Sequence, residues 1–187
     1  MKKILLLFST FTLAFIFVFS QSNVAEAAIK NKPGDIIVTK STSSKGVTGH
    51  VGIYISEKTI LHTSGWKSEP YPKTISESNW HKRYAKSKVI RPNSSKLGAE
   101  AAKMAKQHFK DKKIPYSINA KIKKKDKTYC SHLVWYSYYK AGKSFKTGYD
   151  SPQRGLVWST PGTILPYDFI KGTNVSYNGF KFIDNKW

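Results

Sequence analysis

Apolar and polar positions alternate over His50-Val51-Gly52-Ile53-Tyr54-Ile55. Period two puts Val51, Ile53 and Ile55 on one face and His50, Gly52 and Tyr54 on the other, the signature of a strand with a core-facing side. After the polar Ser56-Glu57-Lys58 comes Thr59-Ile60-Leu61-His62-Thr63, which predicts an antiparallel hairpin. If Leu61 joins the apolar set, His62 must share the face of His50, and this reading predicts an odd loop, Glu57-Lys58-Thr59. Ile36-Ile37-Val38-Thr39 reads as a buried strand entered by the turn Lys32-Pro33-Gly34-Asp35, and Ser87 to Arg91 and Phe180 to Ile183 as two more strands. From Ser95 the period changes to that of a helix: Leu97, Ala101, Met104, Ala105 and His108 share one face, predicting a helix over 97–111. A second helix is predicted over 129–141, with Leu133, Val134, Tyr138 and Ala141 inward and Gly142 closing it. Gly65 to Arg83 reads as irregular, 121–127 as a lysine-rich loop, and the chain beyond Gly142 as turn-rich, with Ser151-Pro152, Thr160-Pro161-Gly162 and Leu165-Pro166-Tyr167-Asp168.

The N-terminus does not belong to this pattern. Lys2 and Lys3 precede an apolar run, Ile4 to Phe19, and Ala25-Glu26-Ala27 supplies small residues for cleavage, so residues 1–27 read as a secretory signal peptide and 28–187 as one catalytic domain. No cysteine lies near this boundary, which excludes a lipid-anchored lipoprotein. The chain carries 32 Lys+Arg against 11 Asp+Glu, and removing Lys2, Lys3 and Glu26 leaves 30 against 10. For an exported bacterial chain the matching polyanions are wall polymers or lipid headgroups rather than nucleic acid, and lysine gives point-charge attraction without bidentate readout. The expected location is therefore extracellular and associated with the cell envelope.

Cys130 is the only cysteine, so no disulfide can form within the chain. It stands where the second helix begins, with Thr128 as candidate N-cap. Unpaired backbone N–H groups and the helix dipole there favour a thiolate and offer an oxyanion hole. His50, between Gly49 and Gly52, has space around its ring for a partner and a substrate, and His62 on the same face can fix its tautomer.

Three segments, Lys32-Pro33-Gly34-Asp35-Ile36-Ile37, Gly49-His50-Val51-Gly52-Ile53-Tyr54-Ile55 with His62, and Tyr129-Cys130-Ser131-His132-Leu133-Val134-Trp135, resemble the NlpC superfamily of papain-like amidases. The histidines precede the cysteine, as in the circularly permuted YiiX/YaeF-like branch, and Ile114-Pro115-Tyr116 is similar to its Pro-Tyr element. The resemblance implies an α+β papain-like fold, an antiparallel sheet or half-barrel packed against helices. It implies Cys130 as nucleophile, His50 as general base and His62 as the polar third residue, supported by Tyr116, Gly49, Gly52, Tyr129 and Ser131. It further implies a cysteine amidase without cofactor, a monomer, acting on an amide of cell-wall peptides.

Three other classes are weighed. Cys130-Ser131-His132 also resembles the Cys-x-His element of lecithin–retinol acyltransferase-like proteins, in which a lipid supplies the acyl group to the same thioester. A zinc site would use His50, His62, Cys130 and His132, but a helix starting at Cys130 turns His132 away from the thiol. A non-catalytic wall-binding module would rely on lysines and on Trp66, Trp80, Trp158 and Tyr71. Glu57, Asp126 and Asp150 are candidates to grip a substrate amine.

Overall fold

The apolar strands assemble into one antiparallel sheet because each has a face to bury and short polar turns bring neighbours together. In the computed structural model, which describes residues 30–143, 145 and 163–187, six strands run in the order β4-β3-β2-β1-β5-β6. They are β1 (Ile36–Thr39), β2 (His50–Ser56), β3 (Thr59–His62), β4 (Lys73–Ser76), β5 (Ser87–Pro92) and β6 (Phe180–Asp184). The helices are α1 (Glu77–Arg83), α2 (Ser95–Phe109), α3 (Cys130–Lys140) and α4 (Asn174–Tyr177), with a 3-10 turn over Pro166–Phe169. The expected signal segment, residues 1–27, Asp150, Trp158 and the turns at Ser151-Pro152 and Thr160-Pro161-Gly162 lie outside the described residues. The architecture is the α+β arrangement of an antiparallel sheet packed against helices that the family resemblance implied.

The two faces of β2 separate two cores. Val51, Ile53 and Ile55 join Ile36, Val38, Leu61 and Ile90 against α2 and α3, while Tyr54 joins Ile37, Ile60 and Val89 around Trp80 and Tyr84 on the α1 side. Residues Cys130 to Tyr138 of α3 are all buried, so this helix has no solvated stripe over its first turns. Helix α2 buries Gly98, Ala101, Ala102, Ala105 and Phe109. That stripe is rotated from the expected one: Met104 and His108 lie at its margin, because small side chains let α2 approach closely. At the entry turn Gly34 has φ 93°, and a Cβ there would stand 2.3 Å from the Gly98 backbone, so only glycine lets turn and helix touch. Asp35, fully buried, accepts from the Lys32 N–H at 2.7 Å and from Arg91 Nε and Nη2 at 2.8 and 2.6 Å. The Lys32-Pro33-Gly34-Asp35 motif is thus an anchor of the fold.

Two expectations are corrected. Gly65 to Arg83 is not irregular throughout: it contains β4 and α1, the latter started by Ser76, whose hydroxyl accepts from the Asn79 N–H at 3.2 Å. The hairpin turn is not the odd Glu57-Lys58-Thr59. Thr59 is already in β3 opposite Ser56, so only Glu57 and Lys58 turn, and a bulge between Tyr54 and Ser56 adds the odd residue instead.

Candidate functional site

The bulge places His62 on the face of His50. The register Ile53 to Leu61 and Tyr54 to Ile60 puts His62 level with Gly52, two residues along from His50. The rings meet edge to face, with His50 Nε2 and His62 Nδ1 3.0 Å apart. His50 also stacks on Trp80 at a centroid distance of 5.4 Å and lies 5.2 Å from Tyr84, so three rings hold its rotamer. Trp80 is itself fixed by Nε1–H donating to Ser87 Oγ at 3.0 Å. The sequence carries no direct sign of this cage, since Trp80 falls in the segment read as irregular and Tyr84 directly follows it; the Ser76 cap was the available signal.

Cys130 opens α3 from the other side of the sheet. Beyond His62 strand β3 has ended, and the backbone N–H of Val51, the residue after His50, reaches the Cys130 sulfur together with the N–H groups of Cys130 and Ser131. Ser131 Oγ lies 3.7 Å from Sγ. The sulfur therefore sits where β2 and β3 part, between the face that carries the imidazoles and the face that carries α3. Tyr84 is near both groups, touching the His50 ring and feeling the Cys130 charge. Thr128 is not the N-cap. Tyr129 takes that position without a side-chain cap, and Thr128 Oγ1 pairs with His132 Nδ1 at 3.0 Å. His132 Nε2 donates to Ile122 C=O at 3.0 Å, so His132 faces the lysine-rich loop and not the thiol.

Burial dominates the titration of this group. It pushes the Cys130 thiol up, against the pull of Ser131 and the three backbone N–H groups, so the expected resting thiolate gives way to a neutral thiol. Burial likewise holds His50 well below the ordinary histidine range, assisted by His62 and Arg83, and brings His62 to about 4. A neutral His50 that accepts at Nδ1 must carry its proton on Nε2 and donate it to His62 Nδ1, leaving the His62 proton on Nε2. His62 lines a groove of about 530 Å³ with Glu69, Lys73, Asn79, Lys82 and Arg83. Glu69, kept ionised by the Arg83 fork at 2.9 and 2.9 Å, favours positive charge on His62. Glu69 escaped the sequence reading.

The remaining candidates divide. Tyr129 lies beside the thiol, and its hydroxyl accepts the Ile164 N–H at 3.1 Å. Tyr116 feels the Cys130 charge, and burial keeps its phenol protonated. Gly49 and Gly52 do not clear room for substrate: a Cβ at Gly49 would stand 2.9 Å from the Tyr167 ring, and one at Gly52 would stand 2.5 Å from Ile60 Cγ2 and 3.2 Å from Trp80. Their missing side chains admit protein. Glu57 lies in the turn at the far end of β2 from His50, roughly 20 Å along the strand. Asp126 is exposed in the lysine-rich loop. Thr63 Oγ1, at the end of β3, is buried without a hydrogen-bond partner among the described residues.

Comparison with known proteins adds three findings. Residues 1–157 match the family described as lipoprotein N-acylation protein, LnsA-like. A Bacillus thuringiensis protein described as an uncharacterized 30.3 kDa protein is 30% identical over 158 residues, which is 78% of this chain and 54% of that one, so the chain spans about half the length of this curated relative. The crystal structure of the metalloprotein YiiX from Escherichia coli O157:H7 superposes with a TM-score of 0.60 at 18% identity, covering 85% of this chain and 99% of that one. The fold is therefore YiiX-like and papain-like in permuted order. Among the described residues no three His, Cys, Asp or Glu side chains gather into a metal-binding group.

Proposed function

The chain belongs to the LnsA-like family of lipoprotein N-acylation proteins, and on that premise we propose that it is a cysteine acyltransferase in which Cys130 carries the acyl group as a thioester. Family membership moves the weight from amide cleavage in wall peptides to the acyl-transfer alternative, with a lipid ester as donor and a lipoprotein amine as acceptor. The observation that carries the proposal is a sulfur at the start of α3 held by the N–H of Val51, the residue next to His50, whose own Nε2 is already committed to His62. That commitment leaves His50 Nδ1 for the thiol.

The reaction follows from these roles. His50 Nδ1 takes the thiol proton as Sγ attacks the ester carbonyl, and the backbone N–H groups at the start of α3 hold the oxyanion. The tetrahedral adduct collapses, the alcohol leaves with the proton from His50, and the acyl group stays on Cys130. An amine then attacks the thioester, His50 removes its proton, and collapse forms the amide while the sulfur recovers its proton. His62 Nδ1, accepting from His50 Nε2–H, keeps the His50 ring oriented through these transfers. Since the resting pair is neutral, His50 works as a base during attack rather than as half of a standing ion pair.

The test is intact-protein mass spectrometry of the purified chain with a lipid ester. A hydroxylamine-sensitive acyl adduct on Cys130 is expected, absent in Cys130→Ala and slowed about 10²-fold or more in His50→Ala. Adding an amine acceptor should discharge it to amide faster than water does. An adduct that forms only with peptide amides and is released only to water would return the protein to the amidase reading, and unchanged turnover in Cys130→Ala would sink both.

A further inference from the structure

The segment between α2 and α3 is unlike the rest of the surface. Residues 112–127 contain seven lysines, at 112, 113, 121, 123, 124, 125 and 127, against the single acid Asp126, and all seven are exposed. Apolar groups stand open among them: Ile118 is 65% and Tyr116 36% exposed. Both ends of the loop are pinned together, by Ser117 N–H to Thr128 C=O at 2.8 Å and Thr128 N–H to Pro115 C=O at 3.0 Å. Its middle is tied to α3 by the His132 bond to Ile122 C=O. The loop is therefore held against the helix that presents Cys130. Its apolar edge continues onto the segment after β3, because the Tyr116 ring packs on Gly65 and the next residue, Trp66, is 46% exposed.

A solvated charged loop has no need of an exposed isoleucine at its centre, and a polyanionic polymer would use the lysines alone. Lysines surrounding apolar side chains match a surface that is anionic outside and hydrocarbon beneath. We infer that the loop 112–127, with Tyr116, Ile118 and the neighbouring Trp66, docks on an anionic phospholipid surface and brings the Cys130 site to it. The lysines meet headgroups, while Ile118 and the two aromatic rings enter the interface. Docking deepens the acyl-transfer reading by naming where the acyl donor is met, and it rests on that reading for its purpose, though not for its test.

The test is co-sedimentation of the full chain with vesicles of equal parts phosphatidylglycerol and phosphatidylcholine, compared with phosphatidylcholine alone. Neutral vesicles give the baseline set by the N-terminal apolar run, and the difference reports the loop. Each lysine near an anionic surface strengthens binding about fivefold, so replacing Lys121, Lys123, Lys124, Lys125 and Lys127 by Gln should weaken the anionic preference roughly a hundredfold or more. Replacing five exposed lysines elsewhere, Lys30, Lys58, Lys96, Lys103 and Lys181, should weaken it far less. Ile118→Ser should weaken it several-fold while leaving the alkylation rate of Cys130 unchanged. Equal losses from the two lysine sets would overturn the inference in favour of diffuse net charge. Indifference to Ile118→Ser, with full competition by soluble polyphosphate, would overturn it in favour of a polymer. Acyl loading from a soluble short-chain ester separates this outcome from failure of the acyl-transfer reading, since that loading needs Cys130 and no docking.

Discussion

A base that must accept a proton has to be free of one beforehand, and at the residue scale burial arranges this for His50. Its pKa lies well below the ordinary value near 6.5. Activity should therefore persist well into acid, and the acid limb of kcat/KM is expected below pH 6.5, in a range where an exposed histidine would already be charged. A pH profile of acyl loading, taken where the fold is intact, checks this. Glu69→Gln should lower the His62 pKa further, read by NMR of its imidazole, because the negative charge that favours a charged His62 is lost and Arg83 is left uncompensated. Thr63 gives a prediction for stability: its hydroxyl is buried without a partner among the described residues, so Thr63→Val should raise stability by about 1 kcal/mol in denaturant melts.

Elements carry the site because close packing fixes where they start. Gly34→Ala would put a methyl group into the Gly98 backbone at a φ that disfavours side chains, and should cost about 3 kcal/mol or more by urea unfolding, with a lowered yield of folded protein. The strands β1, β2, β3, β5 and β6 and the helices α2 and α3 were legible in the sequence to within a residue or two, because one-sided burial writes period two or 3.6 into the chain. The stretch holding β4 and α1 was not. Strand β4 is a half-exposed edge with a single apolar residue, Ile75, and α1 is seven residues long with only Trp80 fully inside, too little for a period to show. The meeting of His50 and His62 was legible from the alternation of the two strands. The rings of Trp80 and Tyr84, and the Glu69–Arg83 pair, come from long-range contacts that no local pattern encodes. The direction of the thiol shift is not legible for a related reason: helix N-termini can be read from sequence, whereas burial of Cys130 depends on everything packed over it.

For the whole molecule, the neutral histidines tie site and stability together. His62 titrates at about 4 in the fold and near 6.5 when unfolded, and His50 shifts the same way. The unfolded chain thus binds more protons between those values, so stability is full above pH 6.5 and falls as pH drops towards 4. Urea midpoints between pH 7 and 4.5 should decline accordingly, and His62→Gln should flatten part of the slope. The site also depends on a count of residues. A two-residue turn alone would set His62 on the opposite side of the sheet from His50, and the single additional residue at the Ile55 bulge reverses that. Chain length in this hairpin is therefore constrained by parity: removal of one residue should silence the protein although every functional residue is still in the chain, whereas paired insertions at the turn should be tolerated. Any descendant that gains or loses residues here should do so in twos, a rule that substitution experiments would never reveal.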